Sequence, residues 1–268
     1  MPLRLVVVGG GQIGAAIAAG LLDAKWCEPH ELGIVEIDRA RREVLAELHP
    51  ASTVADVVGL DEVDDATGAV LAVKPDAAEG AARLLGAVGV RRVLSIVAGL
   101  STSRIEAVLP GQAAVVRAMP NTPVLVRKGV AAIAGGSHAT SDDLEWAEGV
   151  LGALGAVVRL PERQLDVVTG LSGSMPAYLY LVVEALIEAG VLQGLSRETA
   201  SILVVGTLEG AGALLAASGQ TPEALRAQVT SPGGTTAAGL RALEARAVRS
   251  AFLEAVASAT ERSRQLGR

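Results

Sequence analysis

The sequence predicts an α/β fold in which a doubly wound parallel sheet is followed by an all-helical domain. Up to about residue 160, short β-branched runs alternate with helix-like segments, an alternation typical of a parallel sheet with helices on both faces. After Pro161 the strand pattern stops, and the later segments are rich in Ala, Leu, Glu and Arg with apolar residues spaced three and four apart. We therefore expect a first domain over residues 1–160 and a second over residues 161–268.

Each element has its own signal. Buried strands are expected at residues 5–8, 34–37, 69–73, 92–97 and 113–117, with further edge strands at 130–133 and 157–160. Helices between them are expected near residues 12–24, 39–48, 76–87 and 101–108. In the second domain, helices are expected at 174–194, 196–218, 221–228 and 239–266, with starts marked by Ser196 and by Thr221 before Pro222. Because these helices are apolar over broad faces, part of their surface should be buried against another subunit.

Composition excludes several classes of protein. The net charge is −6 without any basic block, which argues against a nucleic-acid partner. Cys27 is the only cysteine, so an intramolecular disulfide and a thiolate cage for a metal are both excluded. The first residues lack the layout of a signal peptide, and the longest uncharged stretch, around residues 167–183, contains Gly, Ser and Pro residues that make it a poor membrane span. We therefore expect a cytoplasmic protein that needs neither metal nor membrane.

A glycine-rich loop follows the first predicted strand. Its spacing is Gly9-x-Gly11-x-x-Gly14, and Gln12 and Ile13 open the following helix. The first glycine permits a tight turn, the second lets a pyrophosphate approach the backbone, and the third allows the helix to pack closely on the sheet. This context predicts a Rossmann-type domain that binds NAD or NADP.

Charged residues follow the second strand and bear on the choice of cofactor. Glu36 and Asp38 could accept hydrogen bonds from the ribose hydroxyls of NAD, whereas Arg39, with Arg41 and Arg42 behind it, could hold the 2′-phosphate of NADP. The same charges could also be no more than a solvated helix start. The sequence leaves the choice between NADH and NADPH open.

Three further strand ends supply candidate cofactor residues, because open α/β sheets bind ligands at the carboxyl ends of their strands. A lysine at such a position could equally be an ordinary surface residue. The loop after the 113–117 strand has two prolines around Asn-Thr, which predicts a rigid segment facing the nicotinamide. The candidate residues at these ends are Ala72, Val73, Lys74 and Pro75, then Val97, Ala98 and Gly99, and then Met119, Pro120 and Asn121.

The second domain contains two polar interruptions. Ser231-Pro232-Gly233-Gly234-Thr235-Thr236 separates two helices, frees backbone N–H groups and gathers three hydroxyls, which predicts a cup for an anionic or hydrogen-bonding ligand. Ser174-Met175-Pro176 opens a long helix whose N-terminus suits a carboxylate. An interhelical turn and simple helix capping are the structural alternatives.

Together these motifs resemble the pyrroline-5-carboxylate reductase family over nearly the whole chain, from the Gly9 loop through Ala72-Val73-Lys74-Pro75 and the Arg117 segment to the 231–236 turn. The resemblance implies an N-terminal dinucleotide domain, a helical dimerisation domain, and dimers that assemble into decamers. It implies a cyclic imino acid bound between the cofactor domain of one subunit and the helical domain of its partner.

The resemblance also implies roles for single residues. Thr236 would donate a hydrogen bond to the ring nitrogen, Thr235 would line the substrate site, and backbone from Ser231, Gly233 and Gly234 would hold the substrate carboxylate. Glu162 falls where family members contact the nicotinamide side of the cofactor. Gln228, which stands where some relatives have asparagine, is assigned to the cofactor site.

The sequence supports hydride transfer from NAD(P)H to 1-pyrroline-5-carboxylate to give L-proline. An imine needs no base to take a hydroxyl proton, and His30, His49 and His138 all lie away from the motifs. Met175 replaces a usual small residue, so a six-membered cyclic imino acid stays an alternative substrate. A non-catalytic dinucleotide sensor is the alternative of a different class. A β-hydroxyacid dehydrogenase is disfavoured because no lysine follows Lys128.

Overall fold

The computed structural model describes residues 3–48, 51–60 and 63–267. The described chain divides into two compact units. The first comprises the residues up to Ser174 together with those from Ala257 onward, and the second comprises Met175–Val256. By compactness the division thus comes later than the predicted boundary at 160/161, because Leu165 is buried together with Ala132 and Ala134 of the sheet.

Within the described residues, one sheet of eight strands forms the centre of the first unit. The strands are β1 Leu5–Val8, β2 Leu32–Val35, β3 Ser52–Val54, β4 Gly68–Leu71, β5 Arg92–Ser95, β6 Ala114–Pro120, β7 Gly129–Gly135 and β8 Gly155–Arg159. Their order is β3-β2-β1-β4-β5-β6-β7-β8, and β7 pairs antiparallel with β6 while the other pairs are parallel. The strands from β1 to β3 are added toward one edge of the sheet, and those from β4 onward toward the other. This reversal of strand order between β1 and β4 creates the crevice where such folds bind ligands. The predicted doubly wound sheet is confirmed.

Helices cover the sheet and build the second unit. They are α1 Gln12–Asp23, α2 Arg39–Leu48, α3 Pro75–Ala87, α4 Thr102–Glu106, α5 Ser141–Gly152, α6 Leu165–Val168, α7 Met175–Leu192, α8 Arg197–Ser218, α9 Pro222–Gln228, α10 Thr235–Ala245 and α11 Val248–Leu266. Single 3₁₀ turns occupy Pro29–Glu31, Val57–Gly59, Thr122–Val126 and Glu162–Gln164, and a π-helical turn occupies Thr169–Gly173.

The core of the first unit follows from the alternation of side chains along each strand. In β1, Leu5 and Val7 join the apolar layer on one face of the sheet, and Val6 and Val8 join the layer on the other. All four are almost fully buried. A strand buried on both faces reads as a continuous apolar run, which is why β1 was predicted with its exact limits.

Several predicted elements differ from the observed ones. Strand β2 lies at 32–35 rather than 34–37, because Leu32 and Gly33 pair with β1, and Glu36 therefore follows the strand. Strand β3 and helix α5 were not predicted. The helix predicted at 239–266 is two helices, since the backbone turns at Ala247, whose φ is 53°.

The second unit exposes much apolar surface, as predicted from its broad apolar faces. Leu181 is 66% exposed, Leu192 84% and Ile202 67%. Among the described residues, the helical stretches Glu162–Leu192 and Arg197–Ser218 are long and apolar enough to cross a membrane by length and composition. The predicted starts are confirmed, since Ser196 accepts from Thr199 N at 3.1 Å and Thr221 accepts from Ala224 N at 3.3 Å.

Candidate active site

The glycine-rich loop is shaped by contacts that admit no side chain. Gly9 has φ 106°, and a Cβ there would lie 2.5 Å from the carbonyl oxygen of Ala72. A Cβ on Gly14 would collide with the carbonyl oxygen of Gly9. Gly11 caps α1 without any side-chain hydrogen bond, so the first N–H groups of that helix stay available. This geometry fits a pyrophosphate, because open helix N-termini attract anions.

A cleft of about 610 Å³ opens at the carboxyl ends of β1, β2 and β4. This volume lies in the range of small-molecule sites. The predicted cofactor residues that line it are Gly9, Gly11, Glu36, Asp38, Ala72, Val73 and Lys74. The cleft therefore brings together the glycine loop and two of the predicted strand ends.

Glu36 joins the glycine loop to the start of α2. It is 7% exposed, its Oε2 accepts from Gly10 N at 3.0 Å, and its Oε1 accepts from Asp38 N at 2.9 Å. Arg42 donates to the carbonyl oxygens of Glu36 and Ile37, each at 2.8 Å. The Glu36 carboxylate, which is predicted to bind ribose hydroxyls, thus also fixes the backbone of Gly10 and Asp38.

The arginine nearest the cleft is Arg41, not Arg39. Arg39 donates to Glu43 at 3.0 Å, and its side chain is 85% exposed outside the cleft lining. Arg41 lines the cleft, with its Nη1 3.8 Å from Oε2 of Glu36. Residues 39 and 41 project from opposite sides of a helix, so the sequence could not choose between them without the orientation of α2.

Asp56 was missed by the sequence analysis. It lines the cleft after β3, and its Oδ1 accepts from Val58 N at 3.1 Å at the start of a 3₁₀ turn. The available signal was an Asp before Val-Val-Gly, but a strand of three residues gave no periodicity to place it.

Other predicted cofactor residues lie outside the lining of this cleft. Val97 is buried beside Ser95, and Gly99, with φ 73°, lies against the backbone of Leu266 near the end of α11. The residues in question are Gln12, Ile13, Gly14, Arg39, Pro75, Val97, Ala98, Gly99, Met119, Pro120, Asn121, Glu162 and Gln228. Their predicted contacts with cofactor stay predictions.

Asn121 connects two segments of the first unit. Its Nδ2 donates to the carbonyl oxygen of Ser172 at 3.3 Å, and its Oδ1 accepts from Val130 N at 2.9 Å. Met119 packs beside Leu160 in a small apolar cluster. Asn121 therefore connects the loop after β6 to the π-helical turn before α7 and to β7.

Glu162 forms a bridge between three elements. Its Oε1 accepts from Thr102 N at 2.8 Å and from Arg117 Nη1 at 3.2 Å, and its Oε2 accepts from the Thr102 hydroxyl at 2.7 Å. Arg117 is 8% exposed. The bridge fixes the start of α4 to β6 and to the turn after β8.

The 231–236 turn contains a helix start that the sequence placed too late. Helix α10 begins at Thr235 rather than 239, so Thr235 and Thr236 lie on its first turn. Gly233 has φ 69°, and Gly234 N donates to the Ser231 carbonyl at 3.0 Å. Gly234 caps the helix without a side-chain bond, and no hydrogen bond of the two threonine hydroxyls is found within the described residues. The turn thus presents open N–H groups beside two hydroxyls.

The remaining candidates in the predicted second domain are Ser174, Met175 and Gln228. The Ser174 hydroxyl donates to the carbonyl oxygen of Thr169 at 3.0 Å, and Met175 is 37% exposed as the first residue of α7. Gln228 is exposed and donates to Gln220 at 2.6 Å. The Ser174 bond runs back to the preceding π-helical turn and does not cap α7, so the sequence alternatives for Ser174, capping and carboxylate binding, both stay predictions.

The described histidines lie away from the cleft. His30 and His138 are exposed and do not line the cleft, and His49 lies outside the described residues. Among the described residues, no three His, Cys, Asp or Glu side chains are grouped so that they could hold a metal ion. Burial, helped by Glu31, raises the pKa of Cys27 to about 11, so its thiol stays protonated.

Two family models match this chain. One is described as pyrroline-5-carboxylate reductase dimerisation and covers residues 162–266, and the other is described as NADP oxidoreductase, coenzyme F420-dependent, and covers residues 4–99. A pyrroline-5-carboxylate reductase from Synechocystis is 40% identical over 100% of both chains. One from Mycobacterium tuberculosis is also 40% identical and covers 98% of this chain and 96% of its own.

Solved structures give the same result. A pyrroline-5-carboxylate reductase from Coxiella burnetii has a TM-score of 0.91 and 32% identity over 100% of both chains. A Plasmodium falciparum pyrroline carboxylate reductase with NADP bound has a TM-score of 0.86 and 30% identity, covering 99% of this chain and 98% of its own. With the glycine loop, the cleft and the helical second unit all present, this chain belongs to the pyrroline-5-carboxylate reductase family.

Proposed function

We propose that this protein reduces 1-pyrroline-5-carboxylate to L-proline with NADH or NADPH, as a step of proline biosynthesis. The observation that carries this is the full-length identity of 40% to a relative of that name, combined with an intact dinucleotide cleft. Fold alone would not assign the reaction, because this fold hosts many activities.

Residues of the first unit would hold the cofactor. The open N-terminus of α1 at Gly11 would hold the pyrophosphate, and Glu36 and Asp38 lie after β2, where a ribose is expected. Lys74, at the end of β4, adds a cation to the lining. When bound, the reduced nicotinamide supplies a hydride.

Thr236 is the proposed hydrogen-bond donor to the substrate nitrogen. Reduction of the imine adds the hydride to carbon, and nitrogen takes up a proton from solvent, so a hydroxyl that donates to this nitrogen orients the ring and polarises the C=N bond. Thr236 is half-buried on the first turn of α10, where its hydroxyl is not consumed as a helix cap. No histidine or lysine base is required for this chemistry.

The start of α10 is the proposed site for the substrate carboxylate. Gly234 caps this helix of eleven residues without a side-chain bond, so the first N–H groups and the helix dipole face an incoming anion. Thr235 adds a hydroxyl beside them. Ser174 and Met175 are also proposed to bind substrate, with Met175 bearing on the preference between five-membered and six-membered rings.

Replacing Thr236 with valine tests the proposal. Valine keeps the shape of threonine and removes the hydroxyl, so kcat for pyrroline-5-carboxylate should fall by about 100-fold while cofactor binding and thermal stability hold. The measurement is NAD(P)H oxidation with both five-membered and six-membered imino acids. Faster turnover of the six-membered ring would instead favour the alternative substrate.

Thr230→Val is the matched control. The Thr230 hydroxyl donates to the carbonyl oxygen of Arg226 at 2.6 Å and has no proposed catalytic role. Its variant should keep kcat within about two-fold. Equal losses in the two variants, or unchanged turnover in Thr236→Val, would remove Thr236 from its role. Cofactor binding without turnover of either imine in the wild type would favour the dinucleotide sensor.

Self-association through the C-terminal helices completes the proposal. The dimerisation model covers residues 162–266, and this segment carries the exposed apolar side chains of α7 and α8. We propose that a second copy of the chain, and not lipid, covers these side chains. Decamers are the proposed further assembly. The proposed location of the enzyme is the cytoplasm. No nucleic-acid partner is proposed, since the net charge is −6.

A further inference from the structure

The cleft is acidic on the side formed by β2 and β3. Three carboxylates, those of Glu36, Asp38 and Asp56, belong to its lining. Arg41, at the start of α2, is the cation on this side of the lining, and Lys74 lies at the end of β4. This is the side on which a Rossmann-type domain receives the ribose next to adenine, where NADP carries a phosphate and NAD carries a hydroxyl.

Glu36 is fixed in a geometry that suits a hydroxyl and opposes a phosphate. Both of its oxygens already accept a backbone N–H, from Gly10 at 3.0 Å and from Asp38 at 2.9 Å. Each carboxylate oxygen has a further lone pair that can accept from a ribose hydroxyl. A phosphate offers no such donor and brings negative charge against a carboxylate that is 7% exposed.

Arg41 cannot offset this repulsion alone. Its Nη1 lies 3.8 Å from Oε2 of Glu36, so its charge is shared with that carboxylate. Arg39 pairs with Glu43 outside the cleft, and Arg42 is held by two backbone carbonyl groups. Of the three arginines that the sequence offered for a 2′-phosphate, two are therefore already engaged elsewhere.

We infer that this protein binds NADH in preference to NADPH, with Glu36 as the specificity-determining residue and Asp38 and Asp56 reinforcing it. A 2′-phosphate would add negative charge beside three carboxylates, whereas the cations of the lining are Arg41, which is close to Glu36, and Lys74, which follows β4. The inference rests on the proposed function only in requiring that the cleft hold a dinucleotide. The NADP in the Plasmodium falciparum structure belongs to a protein that shares 30% of its residues with this one.

Binding of cofactor fragments to the full-length protein tests this inference without any reaction. Calorimetry should show ADP-ribose binding at least about ten-fold more tightly than 2′-phospho-ADP-ribose at low salt. The same ratio is expected for NADH over NADPH by fluorescence titration. Equal affinities, or tighter binding of the 2′-phosphate compounds, would overturn the inference.

Variants separate the contributing charges. Glu36→Gln should shift the affinity ratio toward the 2′-phosphate ligand by roughly ten-fold, and Arg41→Ala should increase the preference for ADP-ribose. Arg39→Ala removes the same charge from the same helix and should move the ratio much less. If the two arginine variants changed the affinity ratio equally, the preference would come from long-range electrostatics and not from the residues of the cleft. That result would contradict the assignment.

A second carboxylate keeps the test decisive if Glu36→Gln does not fold. Asp56→Asn leaves an oxygen to cap the turn at Val58, and it should shift the ratio in the same direction by a few-fold. No shift in Asp56→Asn, or in a Glu36→Gln variant that folds, would contradict the assignment. A preference for ADP-ribose in a protein that reduces no imine would refute the proposed function and leave the inference standing.

Discussion

At the scale of single residues, Gly9 and Gly14 set the shape of the cofactor loop. Gly9 lies against the Ala72 carbonyl with φ 106°, and Gly14 lies against the Gly9 carbonyl. Both contacts involve backbone, which cannot move aside as a flexible side chain can. The glycine spacing in the sequence therefore arises because these two residues lie too close to neighbouring backbone to carry a side chain.

Gly9→Ala should damage both folding and binding. The added Cβ meets the Ala72 carbonyl at 2.5 Å, and an L residue is strained at φ 106°. We expect a loss of about 1–3 kcal/mol in the free energy of unfolding and at least roughly ten-fold weaker cofactor binding. Urea unfolding and fluorescence titration measure the two effects.

Gly152→Ala provides the comparison for that variant. Gly152 ends α5, and a Cβ there meets nothing within 4 Å. Alanine should be neutral or stabilising by up to about 1 kcal/mol, because it lowers the entropy of the unfolded chain. A similar loss in both variants would show that the Gly9 effect does not come from its close contact.

At the scale of elements, the Arg92–Asp143 pair joins β5 to α5. Arg92 Nε donates to Asp143 Oδ1 at 2.7 Å, and Thr140 donates to Asp143 Oδ2 through both its N and its hydroxyl, each at 2.8 Å. Burial alone would raise the pKa of Asp143. The hydrogen bonds from Thr140 and Arg92 outweigh burial, so the pKa of this carboxyl is lowered.

Asp143→Asn should therefore lower stability in a pH-dependent way. A lowered folded pKa stabilises the protein above the ordinary value of about 3.9, and this contribution is lost as pH falls through the folded pKa. The variant should lose roughly 1–2 kcal/mol at pH 7. The difference from wild type should shrink below about pH 4. Urea unfolding at fixed protein concentration measures it.

Glu148→Gln is the surface comparison for this carboxylate. Glu148 pairs with Arg159 at the protein surface, where solvent screens the interaction. We expect a much smaller loss at pH 7 than for Asp143→Asn. A pH-independent loss in Asp143→Asn would mean that shape, not charge, explains its effect.

Elements were predictable where their signal is local and long. The helices α1, α2, α8 and α9 begin or end within a residue or so of expectation because caps and apolar periods lie within the helix itself. Strand β3 was missed because three residues carry no period. The early start of α10 was missed because Gly233 and Gly234 mimic a longer loop.

At the scale of the whole molecule, the exposed apolar surface of α7 and α8 calls for a partner. Such surface is rare on a monomer and typical of an oligomer interface. Leu181, Leu192 and Ile202 carry large apolar side chains that are more than half exposed. The family model for dimerisation covers this segment.

Ile202→Glu should weaken the proposed dimer. Burying an unpaired carboxylate in an interface is strongly unfavourable, so sedimentation should show monomers or aggregates where the wild type shows dimers or larger assemblies without detergent. Val44→Glu, at a 52% exposed position of α2, should leave the assembly unchanged. Wild-type protein that dissolves only with detergent would favour a membrane role for α7 and α8.

The sequence by itself determined the chemistry of the cleft in outline. Glycine spacing, strand alternation and helix caps act over a few residues, so they identify a dinucleotide fold and its loop without distant information. The tertiary structure decided which charges face the ligand. Glu36 accepts from Gly10 and Asp38, Arg41 rather than Arg39 lines the cleft, and Asp56 joins the lining from the segment after an unpredicted strand. Each depends on how a helix is rotated, or on segments far apart in the chain that meet at one edge of the sheet.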